Sequence, residues 1–156
     1  MTDQRKAPSA KPATIPPSCP VAVIAEWMGG VVVDVNRTQS AELTARRDGD
    51  AREAEDLNSR SEALLNALHS ARDALPGIRA ESHFGALAQV AVMAAFADWM
   101  SETNDTATRY RLADAMGQMA HSVASFLAAQ GQIDREHAML TYFLPTYMDR
   151  MQPRRD

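Results

Sequence analysis

Residues 84–100 read FGALAQVAVMAAFADWM, an apolar run that only Gln89 and Asp98 interrupt with polar side chains. Ser82 precedes the run and belongs to a residue type favoured at helix N-caps, so the pattern predicts a helix over residues 81–101. A helix that is apolar on nearly all sides is normally buried. We therefore expect this segment to be the core helix. Its small residues, which would let a neighbouring helix approach closely, are Gly85, Ala88, Ala91 and Ala95.

Residues 37–75 also have a helical pattern, charged in the first half and apolar along one stripe in the second. Three pairs place an acid four residues before an arginine, the favourable order on a helix, and these are Glu42–Arg46, Asp48–Arg52 and Asp56–Arg60. The stripe consists of Leu57, Leu64, Leu68, Ala71 and Leu75. We therefore expect one long helix that continues through Gly49 and ends at Pro76-Gly77.

Residues 21–35 leave two interpretations open. Val21, Ile24 and Met28 recur at helical spacing, as do Val31 or Val32, and Val35, further along. The glycine pair at positions 29 and 30, followed by three valines, is instead typical of a turn and a short strand. No other segment offers a partner strand, so we favour a helix that begins just after Pro20.

Two further helices are predicted after the core helix. The first begins near Asn104-Asp105-Thr106 and is closed by Gly131, and the second runs from Asp134 to Met151. The whole pattern predicts an all-α fold, an antiparallel bundle of four principal helices with a short extra element at its N-terminal end. Residues 21–152 would form this single domain.

Residues 1–20 are expected to form a disordered, proline-rich tail. They contain Pro8, Pro12, Pro16, Pro17 and Pro20. Proline fixes the backbone and removes a hydrogen-bond donor, which favours extended chain. No apolar run of the secretory type follows the basic residues, and each long apolar stretch of the chain contains a carboxylate. We therefore expect a soluble cytoplasmic protein that does not bind membranes.

Charge and motif content argue against several functional classes. The formal net charge is −4, which is unfavourable for a protein that neutralises phosphates. The basic clusters are small, Arg46-Arg47 and a C-terminal group of Arg150, Arg154 and Arg155. The single cysteine, Cys19, lies in the proline-rich segment without a neighbouring base. Because no nucleotide-binding or hydrolase motif occurs, we expect neither an enzyme nor a bound cofactor.

A metal centre is the first alternative function for a helical bundle. Di-metal bundles take carboxylates from two helices and an acid-x-x-His motif from each of the other two. Asp134 and His137 form one such motif, and Glu62 and His69 share a helical face at a different spacing. No second motif completes the set, so these four residues are only low-probability metal ligands.

An aromatic and methionine-rich segment near the C-terminus suggests a binding surface. Its residues are Tyr142, Phe143, Tyr147, Met148 and Met151, with Met116 and Met119 on the preceding helix. Ordinary core packing would also explain their spacing. The weak stripe of Leu43, Ala54 and Leu57 could likewise be completed by another chain. The sequence thus predicts a non-enzymatic interaction protein, an adaptor or regulator that forms homo-oligomers, with metal binding or nucleic-acid-associated regulation as alternatives.

The order of the segments adds a resemblance. The helix beginning PVAVIAEW, the turn and helix LPGIRAESHFGALAQVA, and the terminal elements GQIDRE, YF and YMD follow one another along residues 20–150. Together they resemble a loose group of small all-helical hypothetical proteins of bacteria and their prophages. The resemblance implies a bacterial, cytoplasmic helical protein and carries over no activity and no site residue.

Overall fold

The structure is a computed structural model that describes residues 19–131. It contains four α-helices, α1 (Pro20–Asp48), α2 (Ala51–Ala74), α3 (His83–Glu102) and α4 (Thr106–Gly131), with a 3-10 turn at Leu75–Gly77. No strand occurs within these residues, which confirms the predicted all-α fold, and four principal helices are present as predicted. They divide the chain differently from the prediction, because residues 21–35 belong to a full-length helix and residues 37–75 belong to two helices. The predicted tail up to residue 18 and the predicted helix of residues 134–151 lie outside the described part.

Helix α1 includes residues 21–35, the segment whose sequence was also compatible with a short strand. Pro20 occupies the first turn, where its missing N–H is tolerated, and the helix continues through Gly29 and Gly30. Val31 and Val35 are buried on the same side as Val21. Packing of this side outweighs the low helix propensity of glycine and valine, so the helical interpretation is confirmed.

The predicted helix through Gly49 is wrong, because the chain reverses there. Gly49 has a left-handed backbone, φ 80°, and the Asp50 N–H donates to the Ala45 carbonyl at 3.0 Å. The Asp50 carboxylate then caps α2 by accepting from the Glu53 N–H at 3.0 Å. Glycine adopts this conformation without a steric penalty, and aspartate is a favoured N-cap. The charged segment is therefore the end of one helix and the start of the next.

Helices α1 and α2 pack side by side along a seam with the 3,4 spacing of a coiled coil. Every seam residue is buried or half-buried. The α1 side consists of Val21, Ile24, Met28, Val31, Val35, Thr38, Glu42 and Ala45. The α2 side consists of Ala54, Leu57, Ser61, Leu64, Leu68 and Ala71, and continues to Leu75. Ala54 and Leu57 are thus covered by α1 of the same chain, where the sequence suggested a second chain, whereas Leu43 is exposed.

The main core lies between the start of α1, the 3-10 turn, α3 and α4. Its fully or almost fully buried members are Cys19, Val21, Ala22, Leu75, Val92, Phe96, Leu112 and Met119. Helix α4 packs along α3, and α2 contacts mainly α1 and the turn that follows it. The distal halves of α1 and α2 contribute nothing to this core cluster. They form a two-helix arm held by its own seam.

Cys19 belongs to this core and not to a tail. Its side chain is fully buried beside Gly85 of α3, and its Sγ accepts a hydrogen bond from the Glu81 N–H at 3.4 Å. Cysteine behaves as a small apolar residue in such a position. Residues 19 and 20 are therefore part of the fold, where the sequence predicted a disordered tail, and the predicted close approach at Gly85 is confirmed.

Helix α3 is less buried than its composition predicts. Ser82 caps it as expected, accepting from the Gly85 N–H at 3.0 Å, and Gln89 and Phe96 are buried. Among the described helices, α3 alone is long and apolar enough to cross a membrane, although the core helices of soluble proteins meet the same criterion. Gln89 donates from Nε2 to the carbonyls of Leu75, at 3.1 Å, and Ile78, at 2.7 Å. These bonds tie α3 to the turn after α2.

Candidate functional site

The predicted interface segment cannot be compared with the fold directly. Tyr142, Phe143, Tyr147, Met148 and Met151 all lie outside the described residues. The two methionines that accompany them in sequence take part in the core, because Met119 is fully buried and Met116 packs against the same cluster. These methionines therefore do not extend a binding surface onto α4.

The predicted metal ligands are not brought together in the described part of the chain. Glu62 and His69 are both exposed on α2. The described residues contain no group of three or more His, Cys, Asp or Glu side chains that could hold a metal ion. Asp134 and His137 lie beyond Gly131, outside that part. No observation among residues 19–131 favours a metal centre.

The basic pair on α1 is partly neutralised. Arg46 contacts Glu42 through its Nη2 atom, 2.7 Å from Oε1, and through Nε at 2.8 Å, as the spacing predicted. Asp48 and Arg52, a second predicted pair, lie on opposite sides of the chain reversal. Arg150, Arg154 and Arg155 lie outside the described residues. Nothing in residues 19–131 forms the basic stripe that phosphate binding requires.

A small cavity lies where the end of α2 meets α3 and α4. Its volume is about 190 Å³, and its lining includes Asp73, Pro76, Phe96, Trp99, Arg111, Leu112 and Ala115. The Arg72 guanidinium lies 5.1 Å from the Trp99 ring centroid and 5.4 Å from that of Phe96, a cation–π arrangement. Ligand pockets usually measure about 300–1,000 Å³. This cavity is below that range, and Arg72 already covers its aromatic side.

Helix α3 carries one exposed apolar stripe along its length. Leu87 is 64% exposed, and Phe84 and Val90 lie on the same side with Ala91 and Ala94. Contiguous exposed apolar patches are typical of surfaces that contact another element or molecule. Residues 132–156 follow α4 directly, and their sequence predicts an amphipathic helix. The α3 stripe therefore does not by itself require a second molecule.

A second apolar surface lies on α1, on the side turned away from the seam with α2. Val23 is 54% exposed, Trp27 48% and Val33 56%. They lie at helical spacing on both sides of Gly30, with Glu26 near one end and Arg37 near the other. We call this surface the α1 face, and define it as Val23, Glu26, Trp27, Gly30, Val33 and Arg37.

The glycine pair on α1 has no function that the fold itself explains. A Cβ atom at Gly29 or Gly30 would meet no other atom of residues 19–131 within 4 Å, and neither residue has a positive φ. Each glycine costs a helix interior about 1 kcal/mol relative to alanine. Close approach of another backbone is the remaining structural use of glycine in a helix. Within the described residues, neither a packing contact nor a backbone conformation requires glycine at these two positions.

The residues of the α1 face are visible in the sequence, but the sequence-based predictions did not include them in an interface. Once the 3,4 seam of α1 is known, Val23, Trp27 and Val33 remain as large apolar residues that the seam does not use. The signal was an excess of apolar residues on a helix that already had a buried stripe. It could have been found by assigning the stripe first and then asking which apolar residues were left.

The comparisons with known proteins add no assignment to this site. No protein-family model, no curated protein and no solved structure matches the chain.

Proposed function

We propose that this protein is a non-enzymatic interaction protein, an adaptor or regulator that associates with itself in the cytoplasm through the α1 face. The observation that carries this proposal is the exposure of Val23, Trp27 and Val33 on one side of α1, opposite its buried seam. Exposed apolar side chains grouped on one side of a helix mark an interaction site more often than scattered ones do.

Trp27 supports the proposal most directly. About half of its side chain is exposed, and tryptophan is among the residues that contribute most to binding at interfaces. The seam between α1 and α2 supports an interaction function as well. It packs α2 against one side of α1 and leaves the α1 face on the other side exposed.

The test compares the self-association of three full-length chains by sedimentation velocity over a range of concentrations. The wild-type chain should sediment as a dimer or larger species. Trp27→Glu places a charge in the interface and should raise the dissociation constant roughly tenfold or more. The matched control is Tyr110→Glu, which introduces the same charge at an aromatic residue that is 75% exposed on α4. It should associate as the wild type does.

Two results would contradict the proposal. One is a wild-type chain that stays monomeric at every concentration, and the other is a Trp27→Glu chain that associates as tightly as the control. Circular dichroism shows whether each variant keeps its helices. Since both substituted side chains are substantially exposed, no loss of helical signal is expected.

A further inference from the structure

We propose that the partner of the α1 face is a second copy of this chain whose α1 runs antiparallel and crosses at Gly30 and Val33. This inference rests on the self-association proposed above and specifies its geometry. It is drawn from the unexplained glycine pair and from the charges at the two ends of the face.

The glycine pair sets how closely the helices approach. Small residues at a helix crossing let two backbones approach more closely than larger side chains would. The open space around Gly29 and Gly30 is the position that a neighbouring helix would fill. Val33 lies one turn further on the same face and is 56% exposed. In a two-fold arrangement, Val33 of each copy would lie over Gly30 of the other.

The charges select the antiparallel direction. Glu26 lies on the N-terminal side of the crossing, and Arg37 lies on the C-terminal side. An antiparallel two-fold pair places Glu26 of each copy beside Arg37 of the other. A parallel pair instead places like charges together. Arg37 also contacts Asp34 of its own helix at 3.3 Å, a surface ion pair that leaves the Arg37 side chain 76% exposed.

The symmetry agrees with a closed dimer. In a two-fold interface both copies use the same surface. The α1 face carries both an acid and a base around an apolar centre, so it is complementary to a second copy of itself. On each copy, Val23 and Trp27 then lie at one edge of the crossing, where they exclude water from the contact.

The first test uses two matched glycine substitutions in the full-length chain. Gly30→Ala and Gly117→Ala each add one methyl group to a helix where no atom lies within 4 Å of the new Cβ. Both should raise the melting temperature of the dilute, monomeric chain, because alanine has the higher helix propensity. Gly30→Ala alone should weaken association, by roughly tenfold, since the methyl group separates the crossing helices in both copies.

The second test measures direction by double electron–electron resonance between spin labels. Ala41→Cys and Asp48→Cys give two exposed labelling positions on the same side of α1 as Gly30, and the buried Cys19 should not react. With a helical rise of 1.5 Å per residue, the antiparallel pair separates the labels by about 29 Å and about 50 Å. A parallel pair keeps both distances short, below about 20 Å.

The outcomes separate this inference from the proposed function. A wild-type monomer would overturn both. Two results would overturn the antiparallel crossing and leave self-association standing. One is a dimer that Trp27→Glu weakens but Gly30→Ala does not, and the other is a dimer with short distances at both labels. Weakened association by Gly30→Ala with the two long distances would establish it.

Discussion

The Sγ atom of Cys19 lies 2.7 Å from the position that a Cβ atom would occupy at Gly85. The Cβ of Val21 and the Oγ of Ser82 lie 3.3 Å from the same position. Real Cβ atoms do not approach other atoms as closely as 2.7 Å, so only glycine fits here. The start of α1 is thereby packed directly on the backbone of α3, and the α1 face is oriented by this contact.

Gly85→Ala should therefore destabilise the protein. Overpacking of this kind costs about 1–3 kcal/mol, which exceeds the gain of about 1 kcal/mol from helix propensity. The loss should be smaller in a Cys19→Ala background, because the nearest atom is then removed. Urea unfolding of the single and double variants measures both effects. The control is Gly117→Ala, where no atom of the described residues lies within 4 Å of the added methyl group, and it should increase stability. A Gly85→Ala chain that is as stable as this control would refute the close contact between Cys19 and Gly85.

Gln89→Leu should also destabilise the fold. The carboxamide holds the turn after α2 through its bonds to Leu75 and Ile78, and leucine leaves these carbonyls without that donor. Loss of a buried partner costs about 1–3 kcal/mol. Asn58→Leu is the control, since the Asn58 amide bonds an exposed carboxylate, that of Glu62. Equal unfolding free energies for the two variants would show that the Gln89 bonds contribute little.

Asp105, immediately before α4, should give stability that depends on pH. Hydrogen bonds from the Thr108 hydroxyl, and then from the Thr108 and Ala107 N–H groups, lower the pKa of this carboxyl below its ordinary value of 3.8. A lowered folded-state pKa means that the stabilisation is complete above pH 3.8 and is lost as the pH falls through the lower value.

Thermal unfolding of Asp105→Ala and the wild type checks this. The variant should melt at a lower temperature near neutral pH, and the difference should shrink in strong acid. Asp105→Asn keeps an acceptor oxygen and should fall between them. A difference that does not change between neutral and strongly acidic pH would show that the charged carboxylate is not the cap.

Charge reversal tests the direction of the α1 crossing without a label. Glu26→Arg alone and Arg37→Glu alone should each weaken self-association, because each puts like charges together in the antiparallel pair. The double variant Glu26→Arg/Arg37→Glu should recover most of the affinity. Sedimentation at low ionic strength gives the largest effect. A double variant that is weaker than either single variant would contradict the antiparallel pairing.

The sequence predicted the local elements of this fold better than their connections. The Ser82 cap, and the apolar seam positions from Val21 to Val35 and from Leu57 to Leu75, followed from residue type and spacing. The reversal at Gly49 was missed because the acid–arginine pairs around it favour a helix on either side and do not reveal whether the two sides are one helix. Whether the two sides form one helix or two depends on the packing of Ala45 against α2 and of Ala54 against α1. This packing is seen only in the folded helical hairpin.

The functional surface was predicted less well. A large apolar residue on a helix is either buried inside the fold or available to contact another molecule. To choose between the two, one must know which side of the helix the rest of the chain covers. For Val23 and Trp27 the structure shows that α2 lies on the other side of α1 and leaves both side chains exposed, and their part in self-association is a proposal. For Tyr147 and Met151, which lie outside the described residues, the prediction of an interface stays a prediction.

Native mass spectrometry of the full-length chain, released gently from the cells that make it, tests the central claim most directly. We predict a metal-free mass of two chains for the wild type and for Tyr110→Glu, and a single chain for Trp27→Glu at the same concentration. A wild-type spectrum that contains only single chains would contradict self-association through the α1 face. A stoichiometric metal on the chain would contradict the interaction function and favour the histidine and carboxylate residues instead.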